Sequence, residues 1–394
     1  MGEVGIYLTN LFLMIKIMQM HGMNKQWLEG QASSAFDPNA AQLVLVFGAT
    51  SCIDDPYISP EVSKKFPNAD VVYCSTAGEI LNNTVFDNST VVTALQFEHT
   101  KIKSFRLNIK DFADSYSCGK ALMNAVPKEN LTCVLVISDG GLINGSELVK
   151  GIGEVNPTNI PVTGGLAGDG ARFERTLTGL NGPAETGNVI AIALYGDRLK
   201  ISHGSFGGWD EFGHERTITK SEKNVLFEVD GKNALELYKE YLGPYSEELP
   251  GSALLFPLSM REDDSERKLV RTILSVDENS NSMTFAGNMP EGAKVRFMKA
   301  NFDKIIDASA TAASKTLAEI TAHRPELAIL ISCVGRKLIL QERVEEEVEA
   351  ARNVFGPETF FTGFYSYGEI SPFSPNASCD LHNQTMTITT FSEV

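Results

Sequence analysis

Three hundred and ninety-four residues exceed what one ordinary hydrophobic core holds and suit two or three domains. With 34 basic against 50 acidic side chains the net charge is −16, which repels phosphate backbones and anionic lipid and argues against nucleic-acid or membrane-surface binding. The 43% apolar and 21% charged content is that of a folded globular chain and excludes disordered and fibrous classes.

The apolar opening at 6–20 is interrupted by Asn10 and Lys16, follows Glu3 rather than a basic start, and lacks a small-residue cleavage site. It reads neither as an export signal nor as a full membrane span. Met18, Met20 and Met23 offer later starts, so residues 1–40 are expected to be a leader, either frayed or an amphipathic docking helix. The expected compartment is cytoplasmic. The six cysteines contain no CxxC pair and are expected to be reduced thiols without a zinc site.

From residue 43 onward one unit recurs. Apolar runs at 43–47, 133–137 and 327–331 read as buried strands, each ending on a small residue: Gly48, Ser138, Ser332. A polar stretch of helical character follows. A glycine and an acid come 30, 30 and 36 residues after the small residue, as Gly78-Glu79, Gly168-Asp169 and Gly368-Glu369. Alternating segments at 90–97, 188–195 and 385–391 then read as half-buried strands. The expected fold is α/β: repeated strand-helix-strand-strand units in mixed sheets, each with a right-handed parallel crossover and a closing antiparallel strand.

A different region separates the second and third units. Residues 224–243 read as a strand, an Asp230-Gly231 turn and a helix with Ala234, Leu235, Leu237, Tyr238 and Leu242 on one face. Pro244 and Pro250-Gly251 stop that helix, and the boundary between domains is expected at 240–252. Residues 253–298 read as short antiparallel strands, followed by helices at 304–323 and 342–352. The Glu345-Glu346-Glu347 run of the second helix reads as a solvated face.

The glycine–acid turns are the candidate chemistry. Glycine permits close backbone approach, turn N–H groups can cradle an anion, and the acid can orient a donor. The candidate ligand residues are Ser75, Gly78, Glu79, Gly165, Gly168, Asp169, Tyr367, Gly368 and Glu369. The alternative is that these are turns of a duplicated fold whose acids cap neighbouring elements. Residues 138–147 form a strand-to-helix junction in which Asn144 and Ser146 can cap a helix. There is no Walker ending, no G-x-G-x-x-G and no G-x-S-x-G, so an enzyme would rest on Glu79, Asp169 and Glu369 as acid and base. The six histidines (His21, His99, His203, His214, His323, His382) show no i,i+4 pair or HExxH setting. His203 and His214 flank a glycine-rich segment with Phe206 and Trp209, which would suit a flat apolar cofactor.

The stretches Ser75-Thr76-Ala77-Gly78-Glu79-Ile80, Gly164-Gly165-Leu166-Ala167-Gly168-Asp169, Gly207-Gly208-Trp209 with Thr217-Ile218-Thr219, and Phe364-Tyr365-Ser366-Tyr367-Gly368-Glu369-Ile370 resemble the signature segments of FIST proteins. The resemblance implies an amino-terminal FIST domain over 41–243 and a FIST_C domain over 244–394. It implies a non-enzymatic intracellular sensor that binds a small ligand and acts on a signalling partner. With only these two domains visible, the chain is similar to the stand-alone nitric-oxide-sensing NosP subgroup. That likeness implies haem as cofactor, a sensor histidine kinase as partner, and His203, His214 or His382 as the positions to try for the haem ligand. A haem-free sensor of an amino-acid-like metabolite, and a hydrolase or transferase using the acids, remain alternatives.

Overall fold

Residues 14–23, 25–156, 160–249, 251–262, 268–320, 324–373 and 377–394 are described by the computed structural model. The first module begins with β1 (Lys16–Met23) and β2 (Gln26–Ala32). It continues through β3 (Leu43–Gly48), helices α1 (Thr50–Ile53) and α2 (Ile58–Lys65), and β4 (Asp70–Ser75). A hairpin of β5 (Glu79–Leu81) and β6 (Thr84–Phe86) precedes the closing β7 (Thr90–Gln96). The second module repeats the plan with β8 (Lys101–Asn108), α3 (Ser115–Ala125), β9 (Leu131–Ser138), α4 (Gly145–Glu154), β10 (Val162–Leu166), β11 (Thr178–Leu180) and β12 (Asn188–Tyr195). Asp114 and Asn144 start α3 and α4 by accepting the N–H of Ser117 and Glu147.

β13 (Leu199–Phe206) opens the third module, which is then interrupted by an inserted domain. The insert holds β14 (Asp210–Glu222), β15 (Val225–Val229), β16 (Lys232–Asn233), α5 (Ala234–Leu242), β17 (Leu258–Arg261), β18 (Leu269–Arg271), β19 (Ile273–Asp277), β20 (Ser282–Phe285) and β21 (Lys294–Lys299). The module resumes with α6 (Phe302–Ala318), β22 (Leu327–Cys333), α7 (Val334–Leu340), α8 (Val344–Phe355), β23 (Phe360–Ser366), β24 (Gly368–Pro372), β25 (Cys379–His382) and β26 (Met386–Glu393).

The repeat read from the sequence is the architecture. β3 and β4, β9 and β10, and β22 and β23 pair in parallel, and β7, β12 and β26 close each unit antiparallel. Alternation of side chains then divides every central strand between two cores. Leu43, Leu45 and Phe47, Cys133, Leu135 and Ile137, and Leu327, Ile329 and Ile331 face one common core between the three sheets. Val44 and Val46, Val134 and Val136, and Ala328 and Leu330 face outward into separate cores against their own helices.

Each sheet is finished by another module. β5 of the first, carrying β6 on its far side, pairs with β23 of the third; β24 of the third, carrying β25, pairs with β10 of the second; and β11 of the second pairs with β4 of the first. The exchange is cyclic.

Several expectations need correction. Residues 16–32 are neither a frayed leader nor a docking helix: β1 pairs along its length with β7 and alternates buried Ile17 with half-buried neighbours. It matches β8 and β13, the opening strands of the other modules. Residues 1–13 lie outside the described residues. α5 packs in the core of the inserted domain with Leu226, Phe285 and Phe297, so a boundary at 243/244 would cut that core. Glu347 is no part of a solvated face. It is fully buried against Arg336. The helix expected over 304–323 ends at Ala318, and His323 lies outside the described residues.

Candidate functional site

The three corners, where the chain leaves its own sheet for its neighbour's, converge. Ala77 N–H donates to Tyr365 O at 2.8 Å and Tyr365 N–H to Gly78 O at 2.8 Å, while Gly168 N–H reaches Ser75 O at 2.9 Å. Tyr367 N–H donates to Leu166 O at 3.2 Å. Ser75 Oγ donates to Gly168 O and receives Leu177 N–H, both at 2.8 Å. Tyr367 Oη receives Phe173 N–H at 3.1 Å, donates to Gly170 O at 3.3 Å, and its ring stacks on Phe173. Burial pushes that phenol up to about 12. A Cβ at Gly78 would lie 2.5 Å from Lys337 Nζ, and one at Gly168 would lie 2.8 Å from Ala77 N. The corners meet and interlock.

The acids are consumed by that interlocking. Glu79 accepts Thr76 Oγ1 at 2.5 Å and Ser89 Oγ at 2.7 Å. Glu369 repeats the pattern with Ser366 Oγ at 2.7 Å and Thr385 Oγ1 at 2.9 Å. In both, a hydroxyl three residues back and one at the foot of the closing strand fix the crossover. Burial raises the Glu79 carboxyl to about 7 and the Glu369 carboxyl to about 8. Asp169 differs. Burial works against its charge, yet Arg172, Thr50 Oγ1 and Arg175 N–H hold its carboxyl below the usual range. Gly165 and Gly368 sit in the β10–β24 pairing, Gly165 directly opposite Glu369. The contacts described for these residues brace the corners.

Two features that the sequence did not announce remain. The first is a cleft of about 590 Å³ at the junction of α4, the inserted domain and β25. Glu147 and Lys150 of α4 face Arg261, Arg271 and Asn288 of the insert and Asp380 of β25. Asn288 Nδ2 donates to Glu147 Oε1 at 2.5 Å, and the guanidinium of Arg271 donates to Leu381 O at 3.2 Å. These bonds bring all three bodies to one hollow. No local motif marks these residues, because they come from three segments far apart in the chain.

The second is at the third corner. Asn383 and Gln384 are fully buried, and all four of their amide heteroatoms lack a hydrogen-bond partner. Left unmatched, each such atom costs about 1–3 kcal/mol. Trp209 Nε1 donates to Gln384 O at 2.9 Å, so the segment leading into the insert lies over this turn.

Family models for the FIST N domain and the FIST C domain match residues 42–232 and 234–372. The chain belongs to the FIST family. FIST domains are generally small-ligand sensing domains of signalling proteins. The family boundary at 232/234 falls just before α5 and within the inserted domain, whose core takes Ile218, Leu226 and Val229 from one side of it and Leu235 and Tyr238 from the other. The FIST chain is also similar to a solved structure, a cyanuric acid hydrolase from A. caulinodans, at 9% identity and a TM-score of 0.39, over 96% of this chain and 99% of that one. Comparison with curated proteins gives no match.

The histidines of this FIST chain do not fit the haem implied by the subgroup resemblance. His203 is buried on β13 between β26 and the end of α6; burial lowers its pKa, with Glu319 opposing. His382 pairs opposite Glu369, holds Ser371 O through Nε2 at 3.0 Å and stacks on Phe373. His214 is exposed on β14. The cleft nearest His382 is charged, whereas a porphyrin needs apolar walls on both faces. Among the described residues no group of three or more His, Cys, Asp or Glu side chains is placed to hold a metal ion. No described helix is long and apolar enough to cross a membrane.

Proposed function

We propose that this FIST protein is a haem-free sensor of an amino-acid-like metabolite, that the ligand occupies the cleft between α4, the inserted domain and β25, and that the protein acts by binding rather than turnover. The observation that carries this is the charge of the cleft walls. Lys150, Arg261 and Arg271 suit a carboxylate, and Glu147, Glu262 and Asp380 suit an ammonium, around one hollow. Its volume lies within the range of small-molecule sites, and its position between domains is where such sites recur. A ligand bridging α4 and the insert stabilises one relative placement of the two, and that difference is what a separate sensor histidine kinase would read. A ten-fold change in partner affinity needs only about 1.4 kcal/mol of such bias.

Calorimetric titration with the twenty amino acids is expected to find one or a few that bind. Lys150→Glu should weaken that binding at least ten-fold, with the unfolding midpoint unchanged because Lys150 is exposed. Binding that is indifferent to Lys150→Glu, or no binding by any amino acid up to millimolar concentration, overturns the assignment. Protein purified from haem-supplied cells is expected to be colourless. A haem band that shifts on adding nitric oxide would overturn the haem-free reading in favour of the nitric-oxide sensor implied by the subgroup.

A further inference from the structure

β8 ends the second sheet at a position that the first module fills. β1 and β8 each pair antiparallel with the closing strand of their own module, β7 and β12. On its other edge β1 carries β2. Among the described residues no strand pairs with the other edge of β8. Burial differs accordingly. Ile17, Gln19 and Met20 of β1 are buried, whereas no residue of β8 is, and Ile102, Phe105 and Leu107 stay half-buried. Every second residue of such an edge turns its N–H and C=O outward unpaired. The charge of this edge opposes that of the whole chain. Residues 101–110 hold Lys101, Lys103, Arg106 and Lys110 and no acid, in a chain of net charge −16. All four are exposed, and none makes an ion pair among the described residues. Alternation puts Lys101 and Lys103 on the face of Phe105 and Leu107, toward the helices, and Arg106 on the face of Ile102, toward the common core. A hollow of about 620 Å³ opens beside the first half of the strand, walled by Lys101, Lys103 and Tyr195 and also by Glu129 and Asp197.

We propose that the outer edge of β8 binds an extended acidic segment of a partner protein, which adds a strand to the second sheet as β2 adds one to the first. Backbone pairing holds the segment, and acids set opposite Lys101, Lys103 and Arg106 select it. A second copy of this chain is the wrong occupant, because pairing β8 with itself sets these cations against one another. A nucleic acid brings negative charge but no peptide backbone to pair with the edge. The surface is separate from the charged cleft and does not depend on a ligand there.

The test titrates the full chain into the fluorescein-labelled peptide Thr-Val-Glu-Val-Thr-Glu-Val-Glu, whose acids oppose Arg106, Lys103 and Lys101 in one antiparallel register. Its anisotropy is expected to rise and saturate. A second peptide with Pro-Pro in place of the central Val-Thr keeps the charge but loses two adjacent N–H groups, one of which faces β8, and should bind at least ten-fold more weakly. Lys101→Glu combined with Lys103→Glu should weaken binding of the first peptide at least ten-fold, with near-ultraviolet circular dichroism matching the parent. No saturation up to millimolar protein means lysines that only keep copies apart, and equal binding of the proline peptide means attraction by charge alone. Either result, or indifference to the two glutamates, overturns the proposal. Should the glutamate variant not fold, the contrast between the two peptides on the parent decides alone.

Discussion

Replacing Glu347 by glutamine keeps the shape of a fully buried side chain and removes its charge. The carboxylate receives Arg336 Nε at 3.0 Å and Nη2 at 2.7 Å on one oxygen, and Ser332 Oγ at 3.1 Å and Tyr365 Oη at 2.6 Å on the other. Arg336 also donates to the carbonyls of Gly207 and Ile305, both at 2.7 Å. In Glu347→Gln those carbonyls still accept, but a guanidinium at 0% exposure has lost its counter-charge. Breaking such a pair costs about 3–5 kcal/mol, a large part of a typical stability of about 5–15 kcal/mol. Urea unfolding followed by far-ultraviolet circular dichroism should show that loss as a lower midpoint at unchanged slope. The double variant Arg336→Met with Glu347→Leu should recover only the part due to the unpaired charge, because Ser332 Oγ, Tyr365 Oη and the carbonyls of Gly207 and Ile305 lose these partners. A Glu347→Gln midpoint within about 1 kcal/mol of the parent, or a double variant no better than the single, would refute the assignment of the cost to an orphaned charge.

Glu79 and Glu369 make stability fall as the pH rises. Their ordinary value is 4.5, and burial raises them to about 7 and about 8 when folded, so over this interval the folded chain holds protons that the unfolded chain has released. Their contribution is complete below 4.5 and is lost through the folded values, at up to about 1.4 kcal/mol per pH unit for each group. Urea midpoints between pH 5 and 8.5 should therefore decline, and Glu79→Gln with Glu369→Gln should flatten the decline; an unaltered slope in that double variant rules out both groups as its source. Gly164→Ala and Gly363→Ala should each lose at least about 3 kcal/mol or fail to give soluble protein, because the new methyl overlaps the carbonyl oxygen of Val136 or Leu330 on the adjacent strand. Gly153→Ala, in helix α4 with nothing within 4 Å of the new carbon, should instead stabilise by about 0.5 kcal/mol; a loss there would contradict the open space seen.

The repeat was legible because period and polarity are local. The runs at 43–47, 133–137 and 327–331 lie within β3, β9 and β22, and the stretch read at 188–195 coincides with β12. What pairs with what was not legible. β1 carries Gln19 and His21 among its apolar residues, and pairing with β7 and β2 makes it a strand. Gln19 is buried because its amide donates to Phe361 O at 2.8 Å in another module. Glu347 looked like one of three solvent acids because its partner Arg336 lies on a different helix. The glycine–acid turns were visible as motifs, but the hydrogen bonds their acids make within the chain were not. The hydroxyl donors of those carboxylates include Ser89 and Thr385, which lie 10 and 16 positions further along the chain. The charged cleft joins α4, the insert and β25, which periodicity does not connect.

Cyclic exchange of edge strands means that none of the three modules is a separable part. A fragment stopping at residue 195 would retain β11 on β4 yet leave β10 without β24, and the β5–β6 hairpin without β23. Bare strand edges of that kind invite pairing between molecules. Dissection of this protein into its modules should therefore yield aggregates, whereas excision of the inserted domain at 210–299, which keeps a core of its own, leaves the ring of borrowed strands unbroken.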